Sequence, residues 1–201
     1  MVKKLVVVIV LLLVLAPWFV VAGLVHSGLS ARVKPGKLET WVAIQARKFS
    51  MPQSEKEQKN PFTVNEALLK EAREHFADHC ASCHANDGSG NTAMGRGLSP
   101  QVPDMRLAAT QSKSDGELYS IIHNGVRFTG MPAWGMDGKD EDSWKLVLFI
   151  RHLPQLSADE IKEMEKYNPK SDSERAEEQE EEDFLSGKSA GTSSKQDSHQ
   201  H

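Results

Sequence analysis

Cys80 and Cys83 are the only cysteines in the chain, and His84 follows the second of them directly, giving C-x-x-C-H within the stretch HCASCHA. That pattern is the attachment signal of a c-type haem. If Cys80 to His84 make about one helical turn, the thiols at i and i+3 share a face and can meet the vinyl groups along one porphyrin edge. The imidazole at i+4 then projects toward the iron. One turn of backbone would supply both thioether links and an axial ligand.

Other chemistries compete for the same residues. A structural zinc site needs further ligands at a suitable spacing, and no other cysteine exists to supply them. A thioredoxin-like dithiol sits after a strand at the start of a helix, whereas here VNEALLKEAREHFADH runs helically into Cys80. A chance pentapeptide is the third alternative. Haem attachment is the reading the residues favour.

A haem held by His84 leaves a sixth iron position. Candidates are Met94, Met105, Met131 and Met136, and the histidines His75, His79, His123 and His152. Met131 stands in Thr129-Gly130-Met131-Pro132, and a residue before proline is pushed out of the helical region into extended or turn backbone. Enough chain separates it from His84 to pass around a porphyrin. Met131 is therefore the expected ligand and Met136 the runner-up. Met94 and Met105 are expected to pack, the common role of methionine. His123 would give bis-histidine ligation in place of the Met/His pair.

These residues must be positioned by helices. Thr63 with Glu66 forms a capping box for a helix that delivers Cys80, with Ala67, Leu68, Phe76 and Ala77 on its inward face. Asn86 to Thr110 is rich in Gly, Ser, Pro and Asn and reads as a loop, long enough to need a function such as wrapping a haem edge. Ser114 or Asp115 caps a second helix through Leu118, Ile121 and Ile122 that Gly125 closes. A last helix runs from about Asp140 to His152, with Trp144, Val147 and Leu148 on its apolar face, before Pro154.

Outside this region, Lys3 and Lys4 precede an uncharged apolar run from Leu5 to Val25, about the length that crosses a bilayer. Pro17 and the small-residue sequence Val20-Val21-Ala22 leave a cleaved signal peptide as the alternative, but length favours a retained anchor. Lys3 and Lys4 belong on the cytoplasmic side, an argument blunted by Arg32, Lys34 and Lys37. Leu38, Trp41, Val42, Gln45, Ala46 and Phe49 form an amphipathic helix that either lies on the membrane or packs on the haem domain. Ser50 to Pro61 reads as a polar linker, and the acidic stretch from Lys170 to His201 as disordered.

The chain of 201 residues allows one ordinary domain with appendages, and its formal charge of −4 comes without the basic patch that nucleic-acid binding needs. Nucleic acid is not an expected partner.

HCASCHANDGSG, PDMR, IIHNGVRFTGMPAWG and WKLVLFIRHLP together resemble the small mono-haem class I c-type cytochromes, in particular the bacterial group related to the haem subunits of cbb3-type oxidases and to cytochrome c6. The resemblance covers about Asn60 to Leu156. It implies an all-α fold, a small class I cytochrome c domain around one covalent haem c, preceded by a single N-terminal transmembrane helix. It further implies thioethers at Cys80 and Cys83, axial His84 and Met131, and N- and C-terminal helices crossing near the haem. A loop carbonyl near Pro100 or Pro103 would orient His84, and Trp134 and Arg96 would contact the haem edge or propionates.

The expected organisation is an anchor or uncleaved signal over 1–26, an amphipathic helix and linker over 27–60, the haem domain over 61–156 and an acidic tail over 157–201. The expected function is one-electron transfer between membrane or periplasmic redox partners, with the chain single-pass in the bacterial cytoplasmic membrane and its haem domain periplasmic. The chain has no motif for a flavin, quinone or second haem, so it is not expected to be an enzyme itself. The alternatives are a haem subunit of a larger dehydrogenase or terminal oxidase, and a ligand-binding haem sensor.

Overall fold

The computed structural model describes residues 2–26, 30–135 and 140–186, and these are helical with no strand among the described residues. Helix α1, Val2–His26, is apolar from Leu5 to Val25 and runs through Pro17 without ending. Its segment Val2–Gly23 is long and apolar enough to cross a membrane, with mean hydropathy 3.2. Proline is tolerated in such helices because neighbours can satisfy the freed backbone groups. The chain thus carries an N-terminal segment of membrane-anchor type.

Helix α2, Lys37–Ser50, has no buried residue. Trp41 and Phe49 are 59% and 86% exposed, so its apolar stripe is not covered by the rest of the molecule. The apolar face of this helix is therefore not what meets the haem domain.

The supposed linker after it is not free. Residues Gln53–Lys56 form a short helix, α3, that docks on α8, Asp115–Asn124. Ser120 Oγ donates to Glu55 at 2.7 Å, and Ser114 Oγ donates to the Lys56 carbonyl at 2.6 Å. Gly116 makes this approach possible, since a Cβ there would lie 2.0 Å from the Glu55 carbonyl oxygen. The compact body therefore begins before Pro61.

Helix α4, Glu66–His79, starts two residues later than the Thr63 cap would set it. Asn65 is the N-cap, its side-chain oxygen accepting from Leu68 N–H at 2.9 Å. Asparagine outranks threonine as a cap, which fixes this register. Ala72, Phe76 and Ala77 then face inward, while Ala67 is exposed. Against them lies α9, Asp140–His152, in the largest helix contact of the body. Asn60 adds a hydrogen bond to the Trp144 carbonyl at 2.9 Å, and Tyr119 stacks on Trp144 with centroids 4.1 Å apart. Helix α8 has the expected Ser114 cap and ends at Gly125, whose φ of 65° suits glycine.

The stretch between Asn86 and Thr110 contains two short helices, α6 (Ala93–Gly97) and α7 (Ala108–Gln111). Thr92 caps the first, accepting from Gly95 N–H at 2.8 Å while donating to the Cys83 carbonyl at 3.2 Å. Beyond α9, helix α10, Ala158–Met164, buries Met164 completely. Arg73 of α4 clamps it through Glu160 at 3.0 Å and Glu163 at 2.6 Å. The body thus extends past the Leu156 boundary, because a packed methionine and a two-carboxylate clamp outweigh the acidic composition. Helix α11, Asp172–Leu185, occupies the start of the segment read as disordered, where Ser171 and Glu174 form a capping box. Residues 187–201 of the acidic tail, and Met136, lie outside the described residues.

Candidate haem site

Cys80 is the joint between α4 and a single turn, α5, Ala81–His84. Its N–H donates to the Phe76 carbonyl at 2.8 Å, closing α4, and its own carbonyl accepts from Cys83 N–H at 3.2 Å and His84 N–H at 2.9 Å, opening α5. Ala85 stops the turn with a φ of 60°. The five residues of the motif therefore make the one turn that the spacing requires.

Cys80, Cys83 and His84 all line one cavity, and Met131 lines the same cavity from 47 positions further along the chain. Phe76, Leu118, Ile122, Leu146 and Ile150 supply an apolar lining. The loop that carries Met131 is fastened at several points. Val126 N–H donates to the Met131 carbonyl at 3.0 Å, and Met131 N–H donates to Thr129 Oγ1 at 3.1 Å. The Thr129 hydroxyl donates to the Val126 carbonyl at 2.7 Å, and Trp134 N–H reaches the Ile122 carbonyl at 3.1 Å.

The electrostatics of the motif follow from burial. The Cys80 thiol is pushed up to about 12, by burial first and by the neighbouring Cys83 second. It is a neutral thiol at neutral pH, the opposite of the depressed thiol that a redox dithiol uses. His84 is pulled down to about 4 by burial, so its imidazole is neutral and keeps a lone pair for a metal. Its Nδ1 atom is buried with no hydrogen-bond partner. The carbonyl expected from the neighbourhood of Pro100 or Pro103 is not bonded to it, although both prolines line the cavity.

An orphaned buried nitrogen costs about 1–3 kcal/mol, and here it belongs to an imidazole in the wall of an apolar cavity. Free thiols, a neutral imidazole and a thioether lining one apolar space fit a haem c. They do not fit a zinc site, since among the described residues no group of three or more His, Cys, Asp or Glu side chains could hold an ion.

The other candidates separate clearly. Met105 is buried and lines the cavity, and Met94 is exposed. His123 faces Tyr119 and Asp140, and His152 bonds Glu160 at 3.0 Å. Trp134 lines the cavity and meets His79 edge-on at 5.6 Å, whereas Arg96 bonds Asn91 at 2.7 Å. Sequence reasoning missed Arg47 and Lys113, which also line the cavity. Neither stands in a motif, and Arg47 belongs to a helix remote in sequence from the haem motif.

Residues 67–150 match the family model described as cytochrome C oxidase, cbb3-type, subunit III. Over 87 residues the chain is 34% identical to the Cbb3-type cytochrome c oxidase subunit FixP of Rhizobium meliloti (strain 1021). That alignment covers 43% of this chain and 28% of the relative, so the chain spans well under a third of that protein. Together with the C-x-x-C-H turn, the match implies a covalently bound haem c. Between Ala67 and Ile150, then, the chain carries a c-type cytochrome domain related to the haem subunit of cbb3-type oxidases.

Proposed function

We propose that this chain is a one-electron carrier anchored in the bacterial cytoplasmic membrane, with one haem c joined to Cys80 and Cys83 and its iron held between His84 and Met131. The observation that carries this reading is the convergence of the C-x-x-C-H turn and Gly130-Met131-Pro132 on one apolar cavity. When bound, haem c supplies a one-electron iron couple, whose potential methionine ligation raises relative to histidine.

The chain's own residues do the rest. His84 is kept neutral by burial and is ready to donate a lone pair. The bonds among Val126, Thr129 and Met131 fix the backbone that carries the thioether. Leu118, Ile122, Leu146 and Ile150 exclude water from the cavity, which keeps the polar reorganisation between oxidation states small. With His84 and Met131 both holding the iron, the chain would leave no coordination position open to a substrate. The chain therefore moves electrons and is not itself the catalyst.

In this reading the positive-inside rule puts Lys3 and Lys4 in the cytoplasm and the haem domain in the periplasm. The exposed Leu38, Trp41, Val42 and Phe49 of α2 lie on the membrane surface. Such tethering raises the effective concentration of the haem domain near membrane-bound redox proteins, its partners.

The similarity to FixP supports a second reading, in which the chain is the haem subunit of a larger oxidase or dehydrogenase and catalysis belongs to another subunit. Stable co-purification with a larger subunit would favour it over a freely exchanging carrier.

Met131→Ala tests the ligand assignment. The haem should stay covalently attached under denaturing conditions, while the methionine–iron charge-transfer band disappears. An unchanged ligand spectrum in that variant would remove Met131 from the iron.

A further inference from the structure

Among the described residues lining the cavity there is no Asp or Glu, and the lysine and arginine among them are Lys113 and Arg47. Arg47 comes from the last turn of α2, upstream of residues 67–150. Lys113 immediately precedes Ser114, the N-cap of α8. Among the described residues neither has a carboxylate at ion-pair distance, and the Lys113 ammonium donates to the Ala109 carbonyl.

Two cations facing an apolar cavity without an anion repel each other. Lys113 is correspondingly held below its ordinary value, by burial first and by Arg47 second, with Lys48 adding to the effect and Glu117 opposing it. Nor does packing explain why Arg47 is there. Helix α2 buries nothing, and it is tied to the following segment by Lys56 Nζ donating to the Lys48 carbonyl at 2.7 Å. An anionic group inside or at the rim of the cavity would compensate both charges.

We infer that Arg47 and Lys113 bind the propionate carboxylates of the haem, so that a helix outside the cytochrome domain completes the cofactor site. This rests on the haem assignment proposed above. The charges match, since a haem presents two carboxylates and the cavity two cations. Guanidinium and ammonium groups form strong charge-assisted hydrogen bonds to carboxylates, stronger still where water is thinned. The bound haem would then fix α2 against the domain, and with it the chain's path to the membrane.

The test uses the full-length, haem-loaded protein in detergent, with the variants Arg47→Gln, Lys113→Gln, Arg47→Lys and, as a control, Lys48→Gln. The propionate-bending bands in the resonance Raman spectrum and the midpoint potential are both read. Arg47→Gln and Lys113→Gln should each shift those bands. Each should also lower the reduced-to-oxidised ratio at a fixed applied potential, by about threefold singly and tenfold together, because a cation beside the haem favours the reduced state.

Arg47→Lys should keep most of the wild-type potential, and Lys48→Gln should leave the bands unmoved. If Arg47→Gln does not load haem, Lys113→Gln decides alone. Wild-type bands and potential in both glutamine variants, with the methionine–iron band intact, would overturn this inference and leave the carrier proposal standing. Absence of that band from the wild-type protein would instead strike at the carrier proposal.

Discussion

Phe76 and Phe149 meet with ring centroids 5.0 Å apart and planes tilted by 55°, and both are fully buried. Their contact joins α4 to α9. Because Cys80 N–H donates to the Phe76 carbonyl at 2.8 Å, it also fixes where the thiol-bearing turn begins. Phe149→Ala should therefore lower stability by about 3–5 kcal/mol, the range for emptying a buried phenylalanine site. Denaturant titration of the haem-loaded protein, followed by helix content, measures this. A loss below about 1 kcal/mol would mean that the helices are not held together here.

Gly116 gives a prediction whose sign runs against helix propensity. Alanine is better than glycine inside a helix by about 1 kcal/mol, so Gly116→Ala would stabilise an isolated α8. In the folded chain a Cβ at this position lies 2.0 Å from the Glu55 carbonyl oxygen, and α3 must move away. The variant should melt at a lower temperature and be cut by protease between Ser50 and Pro61 faster than the wild type. A higher melting temperature would show that α3 is not docked on α8.

Glu160 supplies a pH dependence. Burial pushes its carboxyl up, but the Ser157 backbone N–H, the Ser157 hydroxyl and His152 outweigh it and bring the group down from 4.5 to about 2. A depressed carboxylate contributes stability that is complete above its unfolded value and is lost as the pH falls through its folded one. The melting-temperature advantage of wild type over Glu160→Gln should thus be constant above pH 4.5 and close as the pH falls toward 2. An advantage that persists unchanged to pH 2 would assign Glu160 a role independent of its charge.

The sequence made the local signals legible and hid the long-range ones. Ser114 and Gly125 bound α8 as their chemistry dictates, and α9 spans the expected Asp140 to His152. The C-x-x-C-H turn and the Gly-Met-Pro segment could be recognised without coordinates because covalent attachment and proline sterics act over a few residues. Asn65 displaced Thr63 as a cap because two capping residues stood close together and asparagine, accepting from Leu68 N–H, is the stronger one. The docking of α3 through Glu55 and Ser120 joins residues 65 positions apart, in a segment whose composition reads as linker. Met164 likewise stands in acidic sequence, and only its place against α4 makes it core. Arg47 could not have been found from sequence, since a lone arginine on an amphipathic helix resembles any solvated charge.

With His84 and Met131 both holding the iron, as proposed, no coordination position would be left for an added ligand. Optical spectra of the purified, reduced, full-length protein before and after adding carbon monoxide show whether a position is open. No change is expected if Met131 holds the iron as proposed. A rapid and complete shift would show an open iron, and the carrier would have to give way to a ligand-binding or catalytic haem.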